Sequence, residues 1–133
     1  MFQNKNMILN PELVSLIAKL GHFDEIVICD AGLPFPNENQ SKIIDLSLVL
    51  GIPNFMQVFN VITQNLAFES IVLASEIKTY NQDVYHQITS KFSNIKYISH
   101  SDFKKQTVKA KAFIRTGETT PYANAIIICG VNF

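Results

Sequence analysis

Apolar positions along this chain fall into two spacings, separated by polar, turn-forming stretches. Ile26-Val27-Ile28-Cys29 and Ala125-Ile126-Ile127-Ile128-Cys129 are unbroken runs of strand length and read as buried strands. Leu13, Ile17 and Leu20 recur at helical intervals and mark one apolar face. Asn10-Pro11 supplies a cap and a proline for the first helical position, and Gly21 supplies the stop. The same reading predicts strands over Glu25–Asp30, Ile43–Val49, Ser70–Ala74 and Ile95–Ile98, with a polar loop over Asn37–Ser41. Pro53 is placed to open a helix carrying Phe55, Val58, Phe59 and Ile62, and further helices are predicted over Asp83–Phe92 and Ser101–Val108. Lys111–Arg115 and Asn124–Cys129 give two closing strands.

Alternation of this kind predicts an α/β fold, a three-layer sandwich whose mostly parallel sheet is flanked by helices. With 133 residues and no linker or low-complexity stretch, residues 1–133 are expected to form a single domain.

Composition narrows the function classes. Charged residues make up 17% of the chain, against about 25% in an ordinary soluble domain. So little charge suggests that part of the surface is covered by further copies of the chain; a monomer with a polar uncharged surface is the alternative. The formal net charge is zero and no Lys/Arg run exceeds two, which argues against a nucleic-acid partner. No apolar stretch approaches the roughly 18 residues of a membrane span. No apolar core of a signal peptide follows Met1-Phe2-Gln3-Asn4-Lys5-Asn6. Cys29 and Cys129 both sit in apolar runs, as reduced, packed thiols do, so a cytoplasmic setting is expected.

Two polar stretches flank the strand-like runs: Gly21-His22-Phe23-Asp24 leading to Asp30-Ala31-Gly32-Leu33-Pro34, and Arg115-Thr116-Gly117-Glu118 leading to Pro121-Tyr122-Ala123-Asn124. Polar groups at the tip of a buried strand are costly to desolvate unless something pairs with them, so a shared site is expected. His22 is a candidate acid–base group or an ordinary loop residue. Asp30 is a candidate ligand group or an Asx-turn residue bonded to its own backbone. Alternation along a strand turns Cys29 away from whatever Asp30 faces.

Ser99-x-x-Asp102 resembles a capping box and places His100 in a first helical turn, with Lys104 one turn on along the same face. His86 lies in a polar helix and is expected to be exposed. Tyr122 and Asn124 share a side if their segment is extended, and together they suit a sugar. Glu118 is either a further carboxylate of the site or a partner for Arg115. There is no His-x-x-x-His, Cys-x-x-Cys or acidic cluster and no phosphate-type glycine loop, so neither metal nor cofactor is expected.

Several separated motifs, in order, resemble the ribose/fucose mutarotase family. They are Leu20-Gly21-His22 with Asp24, Cys29-Asp30-Ala31-Gly32-Leu33-Pro34, Gly51-Ile52-Pro53 and Ala74-Ser75-Glu76-Ile77-Lys78. The series continues through Ser99-His100 with Phe103-Lys104 and Ile114-Arg115-Thr116-Gly117-Glu118 to Pro121-Tyr122-Ala123-Asn124 and Gly130-Val131-Asn132-Phe133. Residues 37–41 and 80–96 match poorly.

The resemblance implies an isomerase that exchanges the pyranose and furanose forms of D-ribose and feeds ribose catabolism. It places His22 at the proton-donor position and Asp30, His100, Tyr122 and Asn124 at sugar-binding positions. Ala123 would contribute through its backbone, and Lys104 would be a nearby polar contact. It also implies a cytoplasmic homo-oligomer, a decamer of two stacked pentameric rings, with sites near subunit contacts. Whether Asp30 orients His22 or binds a sugar hydroxyl stays open. So do two other readings: a fucose mutarotase, and a non-catalytic sugar-binding accessory of transport.

Overall fold

In the computed structural model, which describes residues 7–36 and 41–133, Asn10 begins the first helix as its sequence requires. Its side-chain oxygen accepts from the backbone N–H of Glu12 and Leu13, and Pro11 takes the first helical position of α1 (Pro11–Lys19). Leu13 and Leu16 are the buried residues of α1, with Ile17 packed partly against the core, so the buried stripe is turned slightly from the one the spacing predicts. The chain then runs through β1 (Glu25–Cys29), β2 (Lys42–Asp45), α2 (Phe55–Asn65) and β3 (Phe68–Ala74). It continues through α3 (Ile77–Tyr80), α4 (Gln82–Thr89), β4 (Ile95–Ile98), α5 (His100–Gln106), a 3-10 turn over Thr107–Lys109, β5 (Ala112–Arg115) and β6 (Ala125–Cys129).

Boundaries differ from the sequence reading where polar caps compete with apolar runs. The strand expected over Ile43–Val49 ends at Asp45, because Asp45 accepts hydrogen bonds from the Ser47 N–H and hydroxyl and turns the chain. Pro53 does not open α2. Asn54 is its cap, locked in a reciprocal capping box with Gln57. The expected helix over Asp83–Phe92 is a short α4 preceded by α3, separated at Asn81, whose side chain caps α4. The predicted loop over Asn37–Ser41 lies outside the described residues apart from Ser41, as do residues 1–6.

The strands form one sheet in the order β2-β5-β1-β6-β3-β4. Three pairings are parallel (β2 with β5, β5 with β1, β3 with β4), as the α/β alternation predicts. The departure is β6, which runs antiparallel to both its neighbours and joins the two parallel groups.

Alternation along the strands divides the apolar residues between two faces. Ile26, Ile28, Ile71, Leu73, Ile114 and Ile127 pack with residues of α1, α2, α3 and α4 in the larger core. Val27, Cys29, Val72, Phe113 and Ile126 face a smaller layer made by Phe103 of α5 with Leu33 and Ala110. Phe55, Phe59, Phe103 and Phe113 are fully buried, each stabilising the fold by roughly 1.5–3 kcal/mol relative to an exposed ring. Burial pushes the Cys29 thiol up to about 12, assisted by the neighbouring Asp30 charge, so the residue acts as packing, not as a nucleophile.

Arg115-Thr116-Gly117-Glu118 is a structural junction. The Thr116 hydroxyl donates to the Cys29 carbonyl at 2.8 Å, and the Gly117 N–H donates to the Pro53 carbonyl at 2.7 Å. A Cβ on Gly117 would lie 2.6 Å from the Ile52 carbonyl oxygen and 2.7 Å from that of Val49, both rigid backbone atoms. Gly117→Ala is therefore expected to destabilise the fold by about 1–3 kcal/mol, read as a lower urea midpoint. Gly32→Ala, whose Cβ would meet nothing closer than Asp30 Oδ1 at 3.7 Å, serves as the near-neutral control.

Candidate active site

The carboxyl end of β1 delivers Asp30 into a turn that fixes its carboxylate from two sides. The Gly32 N–H donates to Asp30 Oδ1 at 2.9 Å, and Asn124 Nδ2 donates to Asp30 Oδ2 at 3.1 Å. In return the Asp30 N–H donates to Asn124 Oδ1 at 2.8 Å. Arg115 holds the far side of the turn, donating from Nε and Nη2 to the Ala31 carbonyl while its Nη1 meets Asp45 at 2.9 Å. The Ser47 hydroxyl is the main cause that lowers the Asp45 carboxyl below its ordinary value; burial opposes it, and the Ser47 N–H and Arg115 reinforce it.

Asp30, Gly32, Leu33, Pro34, His100, Pro121, Tyr122 and Asn124 line one open cleft of about 280 Å³. It lies outside the carboxyl ends of β1 and β4 and the amino end of β6, at the edge where α/β sheets place ligands. His100 opens α5, and its backbone N–H donates to both carboxylate oxygens of Glu76 at 3.0 and 3.1 Å. The His100 ring meets Tyr122 edge-on, with centroids 5.1 Å apart. His100 Nδ1 is buried with no hydrogen-bond partner among the described residues.

Tyr122 has φ 57°, a left-handed conformation unusual for a bulky side chain, and the Asn124 N–H donates to the Tyr122 carbonyl at 2.9 Å. The segment is thus a tight turn and not the extended pair expected from the sequence. Tyr122 lines the cleft, whereas Asn124 is 1% exposed and spends its amide on Asp30.

Other expected site residues stand differently. Ala123 is fully buried, its methyl packed in the larger core, and does not line the cleft. Lys104 is exposed and lines a neighbouring depression with Pro34, Phe35 and Val108, touching the cleft only through the shared Pro34. Glu118 does not pair with Arg115. Its Oε1 accepts from the Phe55 N–H at the start of α2, and its Oε2 accepts from the Thr120 hydroxyl. Burial alone would raise the Glu118 carboxyl, but these donors outweigh it and hold the group below its ordinary value. His86 is exposed on α4, as expected.

His22 stands apart from the cleft. It precedes β1 while Asp30 follows it, and five residues of extended chain separate the two ends, a span of roughly 16 Å at strand rise. Of the two roles left open for Asp30, orienting the imidazole is therefore out of reach within one chain. The group at His22 is Glu69 of β3, whose Oε1 is hydrogen-bonded to His22 Nε2. Sequence reading missed Glu69 and Glu76. Glu76 lay inside a recognised motif, but the signal for Glu69 required knowing that β1 and β3 both flank β6.

Among the described residues, no group of three His, Cys, Asp or Glu is arranged to hold a metal ion, and no helix is long and apolar enough to cross a membrane.

Residues 3–132 match the RbsD / FucU transport protein family. A D-ribose pyranase of Geobacillus thermodenitrificans is 54% identical over 131 residues, covering 97% of this chain and 98% of that one. A D-ribose pyranase of Escherichia coli O127:H6 is 39% identical, with 97% and 99% covered. The solved structure of Bacillus subtilis RbsD complexed with D-ribose has a TM-score of 0.93 at 45% identity and covers 100% of both chains. The fucose mutarotase of Streptococcus pneumoniae in complex with L-fucose is more distant, with a TM-score of 0.77 at 27% identity over 97% of this chain and 96% of that one.

Asn124→Ala would leave a part-buried carboxylate oxygen and the Asp30 N–H without their partner. Loss of about 1–3 kcal/mol is expected, measured by urea unfolding. Asn124→Asp should cost at least as much, because it sets a second carboxylate against Asp30.

Proposed function

The chain belongs to the RbsD / FucU transport protein family, and on that footing we propose the following reading of what it does. The protein is an isomerase that interconverts the pyranose and furanose forms of D-ribose. The observation that carries this reading is the combination of full-length D-ribose pyranase relatives with a cleft of ring and carboxylate groups sized for one monosaccharide. Fucose-type chemistry is the weaker reading, since the fucose mutarotase is the more distant relative.

The reaction needs little from the protein. The bond between the anomeric carbon and the ring oxygen breaks, the ring oxygen takes a proton, and the anomeric hydroxyl gives one up to form the open-chain aldehyde. Closure through the neighbouring hydroxyl reverses both transfers and changes the ring size. No electron is exchanged, and protons balance over the cycle. A placed general acid–base group accelerates such transfers by roughly 10²–10⁴-fold, and imidazole both gives and takes protons near neutrality.

His22 is the proton donor in this reading. Asp30, His100 and Tyr122 hold the sugar. Asn124 acts mainly by holding Asp30, Ala123 packs behind the cleft, and Lys104 lies in the neighbouring depression. With Nδ1 of His100 buried, Nε2 is the nitrogen left to meet a hydroxyl.

His22 and the cleft lie at opposite ends of the sheet, so one chain does not form the whole site. We therefore read the active form as a homo-oligomer in which one copy presents His22 to the cleft of the next, a head-to-tail contact that closes into rings. A decamer of two pentameric rings fits this reading. Exposed Leu48, Val49, Leu50 and Phe133 give it apolar surface to cover. The charge-poor chain and its packed thiols suit the cytoplasm, where ribose catabolism would use the product.

Three measurements test this. In saturation-transfer NMR on equilibrated ribose, the wild-type protein should exchange magnetisation between ring forms. His22→Ala should lose at least about 10²-fold of that rate with its circular dichroism unchanged; a folded variant with a normal rate would remove His22 from the reaction. Light scattering should return a multiple of 15.0 kDa. Mixing inactive His22→Ala and Asp30→Ala subunits should restore activity at about one quarter of the sites, because random assembly pairs an intact His22 with an intact Asp30 that often. Mixtures that stay inactive after verified subunit exchange would mean that the two residues come from one chain.

A further inference from the structure

Glu69 sits where β3 breaks step with β6. Phe68 is opposite Cys129 and Ser70 is opposite Ile128, so Glu69 is the extra residue of a bulge. A bulge leaves one residue out of the ladder and re-aims its side chain. Gly130 borders it: a Cβ there would stand 3.1 Å from Glu69 Cγ and 3.4 Å from the Phe68 carbonyl carbon. Asn94 Nδ2 donates to the Glu69 carbonyl and secures the backbone of the bulge from the other side.

His22 is held with comparable care. The Gly21 N–H donates to Asp24 Oδ2 at 2.8 Å, and the Phe23 N–H donates to the Cys129 carbonyl at 3.0 Å. Phe23 takes φ 69° and stacks its ring on the imidazole at 3.8 Å. A left-handed phenylalanine is strained, and its stacked ring sets the plane of the His22 ring. The Glu69 carboxylate then meets Nε2.

A stabilising role accounts poorly for this arrangement. The two side chains are 40% and 44% exposed, and ion pairs that open to solvent contribute little to stability. What a carboxylate can do at that position is accept only, never donate. It therefore selects the imidazole form that carries its proton on Nε2.

We propose that Glu69 is the positioning residue of the proton transfer: it holds His22 by Nε2–H, so that Nδ1 is the nitrogen that gives a proton to the sugar ring oxygen and takes one back on closure. The inference rests on His22 being the proton donor. The balance is simple. Imidazolium loses the Nδ1 proton to the ring oxygen and becomes the neutral Nε2–H form, while the anomeric hydroxyl gives its proton to a solvent water. It regains a proton at Nδ1 from the closing hydroxyl as that hydroxyl attacks the aldehyde, and water returns a proton to the aldehyde oxygen. The Nε2 proton stays between His22 and Glu69 throughout.

The test uses the full-length assembled protein with ¹⁵N-labelled histidine, the three ring systems being assigned with single His→Asn variants. Neutral His22 should show a protonated Nε2 and a bare Nδ1. Glu69→Gln keeps the size of the side chain, but its amide donates as readily as it accepts. It should admit the Nδ1–H tautomer and lower the ribose exchange rate on the order of tenfold, while half-saturation by ribose stays within about twofold. Glu69→Ala should behave alike, with an intact circular dichroism spectrum. A wild-type His22 carrying its proton on Nδ1, or a Glu69→Gln protein with the wild-type rate, would overturn the assignment. His22→Ala with a normal rate would instead bring down the underlying reading. His22→Ala inactive beside a fully active Glu69→Gln would bring down only the role of Glu69.

Discussion

The exchange of hydrogen bonds between Asp30 and Asn124 is the constraint on which the cleft depends. Each residue satisfies the other at a part-buried strand tip, and an unmet partner there would cost more than the bonds return in water. Because Asp30 closes β1 and Asn124 opens β6, the pair also registers the central antiparallel ladder. The Arg115 junction then secures the same turn from behind, through the Ala31 carbonyl and Asp45. Tyr122 and His100 take their positions from that frame.

Backbone strain falls at the two ends of the sheet. Phe23 and Tyr122 are the non-glycine residues with positive φ among the described residues, one beside His22 and one in the cleft. Strained backbone persists where the surroundings over-determine it. Here a stacked ring and a bond to Cys129 hold the first, and the 122–124 turn holds the second. The two strained positions are separated by the length of β1.

Much of this was legible in the residues. The alternation of apolar runs predicted the α/β sandwich, Asn10-Pro11 predicted the start of α1, and Ser99 predicted the start of α5. The orientation of β6 was not legible, because an apolar run of five residues says nothing about direction. Asp30 and His100 were placed together only by the family resemblance, and whether Asp30 orients His22 stayed open until β1 was seen to separate them. Residues that flank the two ends of one strand cannot touch, and that signal was present in the spacing. Glu69 lay beyond local reading: its meeting with His22 depends on a sheet order that inserts the last strand between β1 and β3.

That insertion has a consequence for how the chain is made. Without residues 125–129 the sheet divides into two ribbons, β2-β5-β1 and β3-β4, each left with an unpaired apolar edge strand. Neither ribbon can be completed by local pairing, and the joint between them is of high sequence separation, the kind of contact that slows folding. Because β5 at residues 112–115 is itself needed to join β2 to β1, the apolar strands β1 and β3 wait for partners until the last part of the domain is made. The nascent chain is therefore most exposed to misassembly and to chaperone capture just before its final strand emerges, and a ribosome that stalls short of that strand leaves two half-sheets with nothing to unite them.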